Sequence, residues 1–375
     1  MKSIIQVLPA LNQGGVERGT IEIATALKEA GIPNYVISSG GKMVPELTKI
    51  GVEHITMPVA TKNPLKLWLN AKKMAKIFNE KNAGLIHVRS RAPAWSVKWA
   101  SKKIGIPYIA TYHGRYGTKP ALKKLYNLVM VQGEKVIAVS NFIKKHLMEE
   151  YGVPENKIVV IHRGADINLF NPEHIGQDKV QAFLTTHDIP MDKPIISLVG
   201  RLTRMKGQSV MLEAMKQMQH KEISLLLVGG NPKAGYDKEL QMELAGLPEE
   251  TTVKIFAVSG KEMPVVYAAS DIFVQPSLIP ESFGRSIAEA GAMKRVVIAA
   301  AHGGAVELIE EGKTGFLVPV GDAKALAIAL DKVLDMPLQD RTKIGEAACE
   351  RMQTYFTIQK MCEKTLALYR TFLNE

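Results

Sequence analysis

Short runs of aliphatic and β-branched residues alternate with amphipathic stretches of ten or more residues along the whole 375-residue chain, and they do so in two successive series. In the first half the runs fall at residues 4–8, 34–38, 85–88, 108–111, 135–139 and 158–161; in the second they fall at 195–199, 224–228, 253–256, 272–275, 296–300 and 315–318. Strands separated by helix-length segments pair in parallel, because the helix is the crossover connection. The pattern therefore predicts α/β architecture with two doubly wound, Rossmann-like domains, each with helices on both faces of a parallel sheet. At about 150 residues per domain the length agrees with two. Pro172, Pro190 and Pro194 break the grammar around residues 164–194, which places the domains at 1–170 and 190–356. Ligands of such sheets sit at the carboxyl ends of the strands, so a crevice between the two domains is the expected site.

Composition narrows the class. With 46% apolar and 23% charged residues the chain has a globular make-up, and its uncharged stretches, such as 296–306, fall short of the roughly 18 apolar residues of a membrane span. The run at 4–8 is too short for a signal-peptide core, which makes a cytoplasmic location the expectation. Two cysteines, Cys349 and Cys362, support neither a disulfide framework nor a Cys-rich metal site. The net charge of +11 is unevenly placed: residues 1–185 hold 26 Lys and Arg against 13 Asp and Glu, while residues 186–375 hold 22 against 24. An anionic partner for the first half follows as an expectation.

Three segments carry chemistry. Gly14-Gly15-Val16-Glu17 links the first strand to a helix, where a glycine pair permits close backbone approach and the helix start offers N–H groups to an anion. Gly200-Arg201-Leu202-Thr203-Arg204-Met205-Lys206-Gly207 follows the first strand of the second domain and puts three cations within six residues, a phosphate clamp. Pro280-Glu281-Ser282-Phe283-Gly284-Arg285 precedes a helix that holds Glu289 one turn in. A loop carboxylate and a helix carboxylate flanking backbone donors is the arrangement that a nucleotide sugar needs.

On these segments, together with Tyr112-His113-Gly114, Val139-Ser140, Gly164-Ala165-Asp166, Val228-Gly229-Gly230, Ala269-Ser270-Asp271 and Gly315-Phe316-Leu317-Val318, the chain resembles the retaining glycosyltransferases of family four, which have the GT-B fold. The resemblance implies that Arg201 and Lys206 neutralise the donor diphosphate, that Glu281 contacts the donor sugar, and that Glu289 grips the ribose. It places His113 near the sugar's 6-hydroxyl and Ser140 on the same wall. It assigns the nucleotide sugar to Gly15, Gly200, Gly229, Ser282, Phe283, Gly284 and Arg285, and sends a C-terminal helix at 357–375 back to the first domain. No Asp-x-Asp motif is present, and no metal or other cofactor is expected.

The implied activity is metal-independent, retaining hexosyl transfer from a UDP- or GDP-linked sugar to a glycan or glycolipid, in lipopolysaccharide or cell-envelope polysaccharide biosynthesis. Residues 62–81 interleave Leu65, Trp68 and Leu69 with lysines, and Trp95, Trp99, Lys119, Lys123 and Lys124 follow. Such a segment either docks on an anionic membrane at the inner face of the plasma membrane or is an ordinary helix with Trp68 and Leu69 in the core. A GT-B nucleotide-sugar epimerase and a non-enzymatic binder of anionic ligands are the alternatives. No nucleic-acid-binding motif accompanies the basic charge, so nucleic acid is not an expected partner.

Overall fold

The computed structural model describes residues 1–12, 14–117, 119–230 and 235–373. It divides into two units, Met1–His162 with the C-terminal segment from Gln359, and Arg163–Ile358.

The first unit is built on a parallel sheet of seven strands: β1 (Ser3–Val7), β2 (Asn34–Ser38), β3 (Glu53–Thr56), β4 (Ala83–Val88), β5 (Tyr108–Tyr112), β6 (Val136–Ala138) and β7 (Ile158–Val160). Their order is β3-β2-β1-β4-β5-β6-β7. The connecting helices are α1 (Gly15–Glu29), α2 (Val44–Lys49), α3 (Pro64–Glu80), α4 (Arg91–Ile104), α5 (Ala121–Asn127) and α6 (Asn141–Tyr151). β1, β4 and β5 are buried along their whole length, as strands covered on both faces must be. β3 is the strand that the sequence pattern does not announce. It lies at the sheet edge, where Glu53-His54-Ile55-Thr56 needs only partial cover and shows no apolar run.

The second unit carries six parallel strands in the order β10-β9-β8-β11-β12-β13. These are β8 (Ile195–Val199), β9 (Ser224–Val228), β10 (Thr252–Phe256), β11 (Ile272–Gln275), β12 (Val296–Ala300) and β13 (Phe316–Val318). Its helices are α7 (Gln177–Thr186), α8 (Gln208–Gln217), α9 (Tyr236–Leu244), α10 (Met263–Ala269), α11 (Arg285–Ala292), α12 (Ala305–Leu308), α13 (Ala323–Asp335) and α14 (Leu338–Tyr355). In both sheets the chain reverses its direction of travel at one place, between β1 and β4 and between β8 and β11. Loops leaving neighbouring strands there diverge and open a crevice at the strand ends.

The division between units falls earlier than the prolines imply, at His162/Arg163 rather than within 171–189. The reason is packing. Ala165 N–H donates to the Phe356 carbonyl at 2.8 Å and Ile358 N–H donates to the Ala165 carbonyl at 3.1 Å. A side chain on Gly164 would meet the Thr357 carbonyl carbon at 2.1 Å, and Ala165 and Phe170 lie in the second unit's core with Phe183 and Tyr267. The supposed linker also contains α7, whose Phe183 and Leu184 are buried.

The last helix, α15 (Ile358–Leu373), belongs to the first unit. It buries the stripe Met361, Cys362, Thr365, Leu366, Tyr369 and Leu373, spaced at helical intervals. The Tyr369 hydroxyl lies 2.5 Å from His87 Nδ1, and His87 Nε2 lies 2.7 Å from Thr111 Oγ1. Gly84 on β4 leaves the space that Leu373 fills.

Candidate active site

The site is assembled in the second unit at the reversal between β8 and β11. The loop after β8 is pulled onto the loop after β11 by Gly207, whose φ of 77° suits glycine and whose missing side chain would otherwise lie 2.0 Å from the Pro276 carbonyl oxygen. Leu278 N–H donates to the Met205 carbonyl at 2.9 Å and fixes the approach. In consequence Lys206 Nζ donates to Glu281 Oε1 at 2.6 Å, with the two side chains 18% and 25% exposed. The same oxygen accepts from Ser277 Oγ at 3.0 Å and Gln275 Nε2 at 3.4 Å. One oxygen of Glu281 is thus fully engaged, and Oε2 has no hydrogen bond among the described residues.

Beyond Glu281 the chain turns into α11. Phe283 is 4% exposed and packs near Phe356 with ring centroids 6.0 Å apart, so its contribution to a ligand is confined to the backbone. Gly284, at φ 102°, is the residue before the helix, and no side chain caps the first turn of α11. Ser282 and Arg285 flank it. Gly304 has no side chain to strike the Phe283 carbonyl, and its N–H donates to the Glu281 carbonyl at 2.7 Å, which braces the loop from β12's side. An uncapped helix start beside a lysine has the electrostatics that suit an anion.

Glu289, cast by the sequence as a ribose ligand, is 9% exposed. Tyr267 Oη donates to its Oε2 at 3.0 Å and Arg285 Nη2 approaches its Oε1 at 3.3 Å. Burial, reinforced by the Glu289 charge, pushes the Tyr267 phenol well up, which keeps it a proton donor to the carboxylate.

Of the three cations in this loop, Arg204 is engaged elsewhere. Arg204 is turned onto α9, where its Nε donates to Glu239 Oε2 at 2.8 Å and Nη2 lies 2.5 Å from the same oxygen. Arg201 is exposed and has no ion pair among the described residues. Gly200 and Gly229 serve the close approach of the β8 and β9 ends: a side chain on Gly229 would lie 2.0 Å from the Gly200 carbonyl oxygen.

The first unit holds the remaining predicted residues. Gly15 opens α1 after Gly14, whose φ is 147°. His113 follows β5, and its charge adds to the burial and the Arg89 charge that hold His87 well below its ordinary pKa. Ser140 is fully buried and its Oγ accepts the Ile143 N–H at 3.2 Å, so the hydroxyl assigned to a ligand wall serves as the cap of α6. Among the described residues no cluster of three His, Cys, Asp or Glu could hold a metal ion.

Four residues of the second unit's site escaped the sequence: Gln275, Ser277, Tyr267 and His302. Gln275 did leave a signal, an amide at the last position of an apolar strand run, where a side chain points at a ligand or a network. Tyr267 carries no local mark, since its ring packs in the second unit's core. His302, in the β12 loop, comes within reach of the Glu281 charge, a juxtaposition across the fold that no local pattern marks. Burial lowers its pKa, against the opposing effects of a hydrogen bond with the Ser277 carbonyl and the Glu281 charge.

A doubly wound domain with a shielded lysine, a half-engaged carboxylate and an uncapped helix start at its switch point has the form of a nucleotide-diphosphate-binding enzyme. The sequence matches the families described as Glycosyltransferase Family 4 over residues 13–169 and Glycosyl transferases group 1 over residues 181–351. A solved glycosyltransferase from Rickettsia africae is 39% identical, with a TM-score of 0.92 over 99% of this chain and 98% of that one. Anabaena HepE in complex with UDP-glucose has a TM-score of 0.83 over 99% of this chain and 100% of that one, at 22% identity, a likeness of fold. The GDP-mannose-dependent alpha-mannosyltransferase of Corynebacterium glutamicum is 27% identical over 341 residues, 86% of this chain and 78% of that protein. The chain belongs to glycosyltransferase family four: it is a glycosyltransferase of the GT-B fold.

Proposed function

We propose that the protein transfers a hexosyl group, with retention of anomeric configuration, from a UDP- or GDP-linked sugar to a hydroxyl of a glycan or glycolipid in lipopolysaccharide or cell-envelope polysaccharide assembly. The observation that carries the donor half is the Lys206–Glu281 pair beside the uncapped start of α11. Departure of the nucleoside diphosphate leaves two phosphates' charge to be stabilised. Lys206, Arg201 and the first-turn N–H groups of α11 supply positive ends that need no reorganisation as that charge develops. Glu281 Oε2 accepts from the donor sugar's hydroxyls, Glu289 from the ribose through a shift of its Arg285 contact, and His113 meets the 6-hydroxyl. No carboxylate among the described residues of the second unit stands out as a nucleophile, so the reading is a same-face displacement in which the leaving phosphate oxygen takes the acceptor's proton. UDP and GDP are the bases to test first, given the UDP-glucose bound by HepE and the GDP-mannose used by the corynebacterial relative.

The acceptor half rests on charge. The basic first half suits a phosphorylated or lipid-borne acceptor, with the enzyme at the inner face of the plasma membrane. The deciding experiment is a thermal-shift panel with UDP, GDP, ADP and CMP and their sugar conjugates. A nucleotide at about 100 times its Kd adds roughly 2.7 kcal/mol, a shift of several degrees. One base standing out, with the shift lost in Arg201→Ala, supports the reading; no shift with any nucleotide sinks it.

A further inference from the structure

The helices α3 and α4 pack against each other on one face of the first sheet, and α5 meets α4 at its C-terminal end. Met74 and Phe78 of α3, Val97 of α4, and Val129 and Met130 just after α5 share one core, whereas Ile21 of α1 and Leu47 of α2 belong to another. Trp95 Nε1 of α4 donates to the Tyr126 carbonyl of α5 at 3.2 Å. The inward stripe of α3 is ordinary: Leu67, Asn70, Ala71, Met74, Ala75 and Phe78 are buried.

The outward stripe is not. At positions 65, 68, 69, 72, 73 and 76, the helical spacing of one face, it presents Leu65, Trp68 and Leu69 and then three lysines. Leu65 is 65% exposed, Trp68 47% and Leu69 45%, so the core alternative for Trp68 and Leu69 is excluded. Lys72 Nζ stands 3.5 Å above the Trp68 ring. The seven-residue α5 repeats the composition. Its only buried residue is Asn127, while Leu122 is 77% and Leu125 56% exposed beside the exposed Lys123 and Lys124. From residue 62 to residue 127 the chain has fifteen Lys and Arg and a single acidic residue, Glu80.

Large apolar side chains exposed among lysines, with nearly all carboxylates removed, select against a neutral or cationic protein partner and for a surface that is apolar inside and anionic outside. We infer that the α3–α5 face is an interfacial docking surface for an anionic phospholipid bilayer, with Leu122, Leu125, Trp68 and Leu69 entering the headgroup boundary and the lysines meeting the phosphates. This deepens the lipid-acceptor reading above and rests on it for its purpose, but its test is independent of the sugar chemistry. No described helix is long and apolar enough to cross a membrane.

The test is flotation of the full-length protein with vesicles of phosphatidylcholine alone and with 30% phosphatidylglycerol, at about 0.1 M and about 0.5 M salt. The expected result is flotation with the anionic vesicles only, weakened by salt, and reduced about tenfold or more by Leu122→Glu/Leu125→Glu and by Trp68→Glu/Leu69→Glu. Unchanged melting temperature and nucleotide response in those variants show that they fold. Absence of flotation by the folded wild type overturns the inference, and so does flotation that both variants leave intact. Self-association that the same variants abolish, without flotation, would assign the face to a second copy of the chain instead. A failed nucleotide panel with successful flotation would reject the donor reading and leave the surface standing.

Discussion

Lys206 and Glu281, 75 residues apart, share a 2.6 Å hydrogen bond across the point where the second sheet reverses its strand order. The pair is asymmetric in use: Glu281 Oε1 also takes Ser277 and Gln275, while Lys206 is oriented by that one carboxylate oxygen. Lysine on a leaving diphosphate acts where charge develops, and removal of one such donor costs about 100- to 1000-fold in turnover. Lys206→Ala is expected to lower kcat by that factor. Glu281→Gln, which keeps the shape and the Oε1 contacts but weakens acceptance from sugar hydroxyls, should raise the Kd for the nucleotide sugar while leaving that for the bare nucleoside diphosphate nearly unchanged. Isothermal titration with both ligands checks the second effect; equal losses for both would take Glu281 off the sugar.

Arg201 and Arg204 offer a contrast within one loop. Arg204 is bound to Glu239 and is 71% exposed, and exposed ion pairs contribute little. Arg201 has no such engagement among the described residues. Arg204→Ala should therefore change kcat/KM by less than about threefold, and Arg201→Ala by about 100-fold or more. Steady-state kinetics on the two variants decide it, and equal effects would mean that Arg204 leaves Glu239 when ligand binds.

The strands at the site were legible because parallel strands buried on both faces must be nearly continuous apolar runs, and β8, β9, β11 and β12 stand where those runs stand. Lys206 and Glu281 were legible because each lies in a loop at a strand's carboxyl end. What was hidden is where side chains turn once the loops are folded. Arg204 and Lys206 are alike in sequence, yet a 3-10 turn at Arg204–Lys206 sends one to α9 and the other to Glu281. Ser140 reads as a polar residue after a strand, whether it caps a helix or faces a ligand. The domain division was misplaced because prolines mark where chain is irregular, whereas the division follows where Ala165 and Phe170 are buried.

His87 is expected to make the first unit acid-sensitive. It is completely enclosed, and burial, with the charges of Arg89 and His113, holds its pKa well below 6.5. The native imidazole is neutral and the unfolded one takes a proton near 6.5, so protons favour the unfolded chain. This contribution to stability is complete above about pH 6.5 and is lost as the pH falls below it. His54, His146 and His302 are shifted in the same direction. The melting temperature should fall between pH 7 and pH 5, and His87→Gln, although less stable at pH 8, should show a shallower fall. Parallel curves for the two proteins would place the acid sensitivity elsewhere.

Tyr369 is what the C-terminal helix spends on that same imidazole. Its hydroxyl is buried, 2.5 Å from His87 Nδ1, and burial keeps the phenol protonated. With Thr111 on Nε2, both ring nitrogens are satisfied. Tyr369→Phe keeps the ring and its packing but strands Nδ1 in the interior, a loss of about 1–3 kcal/mol. Because Tyr369 lies in the buried stripe that packs α15 on the first unit, the loss should appear as local release before global unfolding. Hydrogen exchange in α15 is expected to accelerate on the order of tenfold or more, at the corresponding 1.4 kcal/mol per decade, with β8 to β12 unaffected. His87→Asn combined with Tyr369→Phe should cost less than the sum of the two, since the second change no longer leaves a buried imidazole nitrogen unpaired. Additive losses would show that the hydroxyl and the imidazole contribute separately.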